Sequence, residues 1–112
     1  MILKPGARIL GIKPETWAIV LAADPIWQSY GLWQGVTISS GVDGKHIRAS
    51  EHYAGLALDL RVHDLPDHPT TKADTFDRLK LTLGEDFDMF HEYIGTPEEH
   101  FHAHWNPKNP MK

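Results

Sequence analysis

The clearest pattern of hydrophobic and polar positions lies between Leu56 and Val62, where apolar residues occupy every second position. In an extended strand such residues share one face, so Asp59 points to the opposite face. The stretch 100–105 alternates in the same way, with three histidines on one face and Phe101 on the other. Both stretches are therefore predicted to be strands that carry a polar side and a core side.

Helical spacing and turn residues predict the rest of the secondary structure. The remaining elements, in chain order, are a helix over 14–31 interrupted or kinked at Asp24-Pro25, a strand over 36–39, a helix over 71–83 and a strand over 87–93. Helices that flank a small, mainly antiparallel sheet make this an α+β fold.

Composition and charge narrow the class of protein. The 112 residues predict one domain, 1–112, and 41% hydrophobic with 23% charged residues is typical of a folded protein. A net charge of -4 without a basic cluster argues against a nucleic-acid partner. No apolar run is long enough for a signal peptide or a membrane span. We expect a monomer that is made in the cytoplasm and has no membrane partner.

The histidines indicate a metal site. Because the chain has no cysteine, a metal would have to bind histidine, aspartate or glutamate. His100, His102 and His104 share a face, and protonated imidazoles at that spacing repel unless a metal or an anion holds them. His52 lies seven residues before Asp59, and a break at Gly55 would let both side chains converge. A metal-free, hydrogen-bonded cluster remains the alternative, and the isolated His63, His68 and His91 are given no role.

Two motifs resemble signatures of a known family. Ser50, His52, Gly55, Ala57 and Asp59 match the SxHxxGxAxD pattern of the M15 peptidases, a group of D-alanyl-D-alanine carboxypeptidases and dipeptidases that shares its fold with the Hedgehog signalling domain. The later stretch Glu99-His100-Phe101-His102 resembles the second signature, in which an acid precedes the last zinc ligand by three residues. The likeness covers most of the chain and is closest to compact bacteriophage forms.

The resemblance implies a set of roles for these residues. One zinc ion would be bound by His52, Asp59 and His102, with water at the fourth position, and Glu99 would be the general base. His100 would help to stabilise the developing oxyanion. Ser50 would donate a hydrogen bond to the substrate. The implied fold is that of the Hedgehog and D,D-peptidase group.

Three assignments have alternatives within the chain. Strict alternation puts Glu98 rather than Glu99 on the histidine face, so the choice of Glu99 requires a turn or bulge before His100. His104 stands where related phage sequences often carry a glutamate, and it competes with His102 as the third ligand. Either Arg48 or Arg61 could pair with a substrate carboxylate, although each is by default a solvated surface charge.

The resemblance also implies the substrate. It predicts a zinc peptidase acting on peptidoglycan stem peptides, either as a D,D-carboxypeptidase or as an L-alanyl-D-glutamate endopeptidase. Such a protein would degrade the bacterial cell wall as a bacteriophage endolysin or virion component, or act as a recycling enzyme. The alternative is a non-catalytic module, either Hedgehog-like and stabilised by zinc or specialised in binding the cell wall.

Overall fold

The computed structural model describes residues 1–42 and 55–108. Within these ranges the chain forms two α-helices, a short 3-10 helix and one five-stranded sheet with the order β1-β2-β3-β5-β4. The α+β class is confirmed. The elements are β1 (Ile2–Leu3), the 3-10 helix (Pro14–Thr16), α1 (Trp17–Gln28), β2 (Thr37–Ser40), β3 (Ala57–Arg61), α2 (Thr71–Leu83), β4 (Phe87–Glu92) and β5 (His100–Trp105).

The sheet is mixed, which corrects the expectation of a mainly antiparallel sheet. β1 pairs with β2 in parallel, whereas the pairs β2/β3, β3/β5 and β4/β5 are antiparallel. The backbone N–H groups of Ile2 and Lys4 donate hydrogen bonds to the carbonyl oxygens of Val36 and Ile38, and these bonds hold β1 against β2. Two strand residues are too few to show an alternating pattern, and for this reason the sequence does not predict β1.

The first predicted helix forms without an interruption at Pro25. Pro14 begins the 3-10 turn, where a missing backbone N–H costs no helical bond, and α1 continues through Pro25 to Gln28. The helix therefore ends three residues before the predicted limit. No helix in the described ranges has the length and apolar character needed to cross a membrane.

Both helices pack on one face of the sheet and form the core with it. Trp27 of α1 and Phe76 of α2 meet the ring of Phe101 edge to face, with ring centroids 6.3 and 5.4 Å away. Leu58 and Leu60 of β3 are fully buried on this side. Burial of these apolar side chains provides the main drive for folding. The opposite face is thereby left to the polar residues of the same strands.

Gly55 positions the chain that enters β3. Its φ of +73° lies in the left-handed region, and an added Cβ would lie 2.5 Å from the carbonyl oxygen of Gly11. The Gly55 carbonyl accepts hydrogen bonds from the Lys13 backbone and the Thr16 hydroxyl. Only glycine satisfies both the backbone angle and the close approach. The glycine of the first motif therefore joins β3 to the 3-10 helix.

Candidate metal centre

Strand register brings distant polar residues together on the face that the helices do not cover. In β3 and β5, Asp59 lies opposite His102, and in β4 and β5, Glu92 lies opposite His100. Directly paired residues of antiparallel strands point to the same face. The acids of two strands therefore flank the histidines of β5, which is the central strand of the three.

Asp59, Glu92 and His100 form a group that could hold a metal ion. One potential ligand atom from each residue lies within 4.8 Å of the other two. The Nε2 atom of His100 is 3.0 Å from a carboxylate oxygen of Glu92 and 3.6 Å from one of Asp59. The side chains of Asp59 and His100 are 12% and 13% exposed, whereas that of Glu92 is 43% exposed. Two ligands are thus largely enclosed and the third faces solvent.

The orientation of the His100 ring suits metal binding. Its Nδ1 atom lies 2.7 Å from the backbone carbonyl oxygen of Glu98. A carbonyl oxygen can only accept, so Nδ1 carries the proton and the Nε2 of the neutral ring carries a lone pair. That lone pair faces carboxylate oxygens, which repel it unless a proton or a cation lies between them. Such an anchored imidazole is typical of a metal-binding histidine.

His102 and His104 continue the polar row along β5. The Nδ1 atom of His102 is 3.0 Å from a carboxylate oxygen of Asp59, and its Nε2 atom is 2.9 Å from Nδ1 of His104. The Nε2 atom of His104 lies 3.3 Å from a carboxylate oxygen of Asp88. Both nitrogens of His102 therefore meet protein groups, and the ring of Phe90 lies 6.0 Å from it.

Glu99 belongs to a different, buried network. Its residue is 4% exposed, and its carboxylate accepts hydrogen bonds from the Lys72 ammonium at 2.9 Å, His91 Nε2 at 2.6 Å and the Gly95 backbone at 3.3 Å. Burial raises the pKa of Glu99, but these bonds outweigh it and lower the pKa to about 2. Lys72 lies in α2, and the ring of His91 packs edge-on to Phe101, 4.9 Å away. The network therefore links α2 and β4 through the carboxylate of Glu99.

The predicted site residues fall into three groups. Ser50 and His52 lie outside the described residues, as does Arg48. Asp59, His100 and His102 are brought together, whereas Glu99 is bonded to Lys72 and His91. Glu98 has an exposed side chain and contributes its backbone carbonyl to His100.

Glu92 is the site residue that sequence reasoning missed. The sequence predicts that Glu92 lies in the strand over 87–93, but no motif indicates its partner. The predicted strands over 87–93 and 100–105 can pair as an antiparallel hairpin. When Phe87 lies opposite Trp105 in this hairpin, Glu92 lies opposite His100. Alternation then puts Asp88, Phe90 and Glu92 on the histidine face. The signal was present in the two strands taken as a pair.

A cleft of about 530 Å³ opens beside Asp59 and His100. Its boundary includes the cationic residues Lys4 and Arg61, the ring of Tyr93, and Glu98 and Glu99. The Tyr93 ring centroid is 5.7 Å from that of His100. A ligand in this cleft would touch two of the three residues of the metal-binding group.

Comparison of the chain with known protein families, with curated proteins and with solved structures gives no match.

Proposed function

We propose that the protein is a zinc-dependent hydrolase of peptide bonds in the stem peptides of bacterial peptidoglycan. The observation that carries the proposal is the group Asp59, Glu92 and His100, in which the Nε2 atom of His100 lies within 4 Å of a carboxylate oxygen of each acid. Imidazole and carboxylate together form a donor set that zinc accepts.

The ligands are assigned from burial. We place zinc on Asp59 and His100, whose side chains are enclosed, and keep His52 as the third ligand on the strength of the sequence motif. His100 thus takes the position that the family resemblance gave to His102. His102 donates its Nδ1–H to Asp59 and fixes the orientation of that carboxylate.

Glu92 is the general base of the proposal. Its half-exposed carboxylate can reach a water molecule, whereas each oxygen of Glu99 already accepts a hydrogen bond. A carboxylate with a pKa of about 2 is also a poor proton acceptor near neutral pH. Glu92 therefore takes the role that the resemblance gave to Glu99.

The chemistry is hydrolysis by an activated water. Zinc, when bound, polarises the peptide carbonyl and lowers the pKa of water towards about 7. Glu92 removes a proton as the water oxygen attacks the carbonyl carbon. When the carbon–nitrogen bond breaks, Glu92 returns that proton to the departing amine. The products are one new carboxylate and one new amine.

The substrate class rests on the SxHxxGxAxD motif together with the cleft. Of the motif residues, Gly55 precedes β3, Ala57 and Asp59 lie within it, and Asp59 lies at the cleft. The cleft has a volume of about 530 Å³ and carries the cations Lys4 and Arg61 on its boundary. Stem peptides contain free carboxylates and suit such a lining.

The test is mass spectrometry of purified muropeptides incubated with the zinc-loaded protein. We expect new amino termini or released D-alanine, loss of product with a chelator, and recovery when zinc is restored. Zinc bound at one equivalent without any product would instead favour the non-catalytic module. The Glu92→Gln variant separates the two cases, because it should retain zinc and lose turnover only if the protein is an enzyme.

A further inference from the structure

Arg61 and Lys4 place two positive charges beside the metal-binding group. Arg61 ends β3, two residues after Asp59 on the same face, and lies opposite His100 in the register with β5. Residues two apart in a strand are separated by about 7 Å. Lys4 follows β1 and reaches the same cleft. Both side chains are exposed.

The described part of the chain does not neutralise either charge. Within 1–42 and 55–108, the guanidinium of Arg61 and the ammonium of Lys4 make no ion pair and no side-chain hydrogen bond. By contrast, Lys72 and Lys108 pair with Glu99 and Asp88.

The acids of the cleft leave these cations available. Glu99 is paired with the Lys72 ammonium and hydrogen-bonded to His91, and Asp59 belongs to the metal-binding group. Glu98 remains as a solvent-exposed acid at the edge. An anionic group that enters the cleft would therefore meet more positive than negative charge at its Arg61 end.

One wall of the cleft carries the aromatic ring of Tyr93. Tyr93 has a φ of +54°, a conformation that non-glycine residues rarely adopt, and its ring lies beside that of His100. Pro97 lies on the same boundary. A short side chain could pack on this wall while a neighbouring carboxylate meets Arg61.

We propose that Arg61, assisted by Lys4, binds the free α-carboxylate of the residue whose amino group leaves. The proposal rests on the proposed function and names the part of the substrate that orients it. In a peptide this carboxylate carbon is about 4 Å from the carbonyl carbon that is attacked. The side chain of Arg61 is long enough to cover the distance between the metal-binding group and this carboxylate. Its planar guanidinium can bind a carboxylate with two hydrogen bonds.

Two positions of a stem peptide offer this chemistry. A terminal D-alanine has a free α-carboxylate. D-glutamate has one as well, because the chain continues through its side-chain carboxyl group. The same Arg61 subsite therefore serves a carboxypeptidase or an alanyl-glutamate endopeptidase, and binding experiments can distinguish the two.

The experiment measures binding by calorimetry to the zinc-loaded protein. The probes are N-acetyl-D-alanyl-D-alanine and its C-terminal amide, and N-acetyl-L-alanyl-D-glutamate γ-amide and its α-amide. We expect at least one free acid to bind about tenfold more tightly than its amide. The acid that shows this preference identifies whether the subsite binds a terminal D-alanine or a D-glutamate residue.

Variants locate the preference. In Arg61→Gln with Lys4→Gln the ratio between acid and amide should fall close to one, and Arg61→Gln alone should remove most of it. Lys80→Gln, on the helix-covered side, is the matched control and should leave the ratio unchanged.

Three results would overturn the inference: equal binding of acid and amide, a preference that survives the double substitution, or no binding of any probe. A preference without hydrolysis of muropeptides would refute the proposed activity and leave the carboxylate subsite in place.

Discussion

The Nε2 atom of His100 lies 3.0 Å from a carboxylate oxygen of Glu92, although eight residues separate the two in the chain. The contact is made by the β4/β5 hairpin, whose register places the two residues opposite each other. It joins a candidate metal ligand to a half-exposed acid. The first prediction concerns that acid.

Substitution of Glu92 by Gln should lower kcat/KM on muropeptides by about 10²–10⁴-fold, because the general base is lost while the shape of the side chain is kept. Zinc content, measured by atomic emission, should stay near that of the unchanged protein. Glu15→Gln is the control, since its exposed side chain does not line the cleft. Normal turnover in Glu92→Gln together with inactive Glu99→Gln would return the role of base to Glu99.

Zinc affinity should separate His100 from His102. His100→Ala removes a proposed ligand and should abolish stoichiometric binding in competition with a chromophoric chelator. His102→Ala removes the hydrogen bond to Asp59 and should weaken binding by about 10–100-fold. The reverse order of effects would make His102 the ligand, as the family resemblance implied.

The stability of the metal-free protein should depend on Glu99 at acid pH. Its pKa of about 2 in the folded protein lies below the ordinary 4.5, so the carboxylate stabilises the fold above pH 4.5. This contribution, on the order of 3 kcal/mol from a difference of about 2.5 pKa units, should disappear as the pH falls from 4.5 to 2.

Urea unfolding of the protein and of Glu99→Gln between pH 6 and pH 2 measures the effect. The variant should begin less stable and should lose less of its free energy of unfolding on acidification. Parallel curves for the two proteins would show that the bonds from Lys72 and His91 do not stabilise the charged form.

Gly55→Ala should destabilise the protein by more than the roughly 1–3 kcal/mol that a positive φ alone costs, because the new Cβ would also meet the Gly11 carbonyl. Gly31→Ala is the matched control, since Gly31 has a φ of +89° but no atom within 4 Å of an added Cβ. Thermal unfolding of both variants gives the comparison. Equal losses would mean that the contact with Gly11 relaxes at no cost.

The sequence predicts the fold where its signals are local. β5 forms over the stretch predicted from alternation, and β3 and α2 lie close to their expected bounds, because the periodicity of each element is encoded in its own residues. β1 is too short to show a period. Its pairing depends on the distant backbone of Val36 and Ile38.

The candidate site could be predicted only in part for a similar reason. Asp59 and the histidines of β5 follow from motif and alternation. The meeting of Glu92 with His100 depends on the loop between β4 and β5, where Tyr93 adopts an unusual backbone angle. The ion pair between Glu99 and Lys72 depends on how α2 packs against the sheet. Neither relationship is encoded within a single element.

The division of the sheet into a helix-covered face and a polar face separates two kinds of selective constraint. Substitutions at Asp88, Glu92 and His104 alter residues that contribute nothing to the apolar core formed by Leu58, Leu60 and Phe101. A library that varies only the polar face could therefore explore new reactivities on an unchanged scaffold. The alternating strands make the protein a suitable starting point for laboratory evolution.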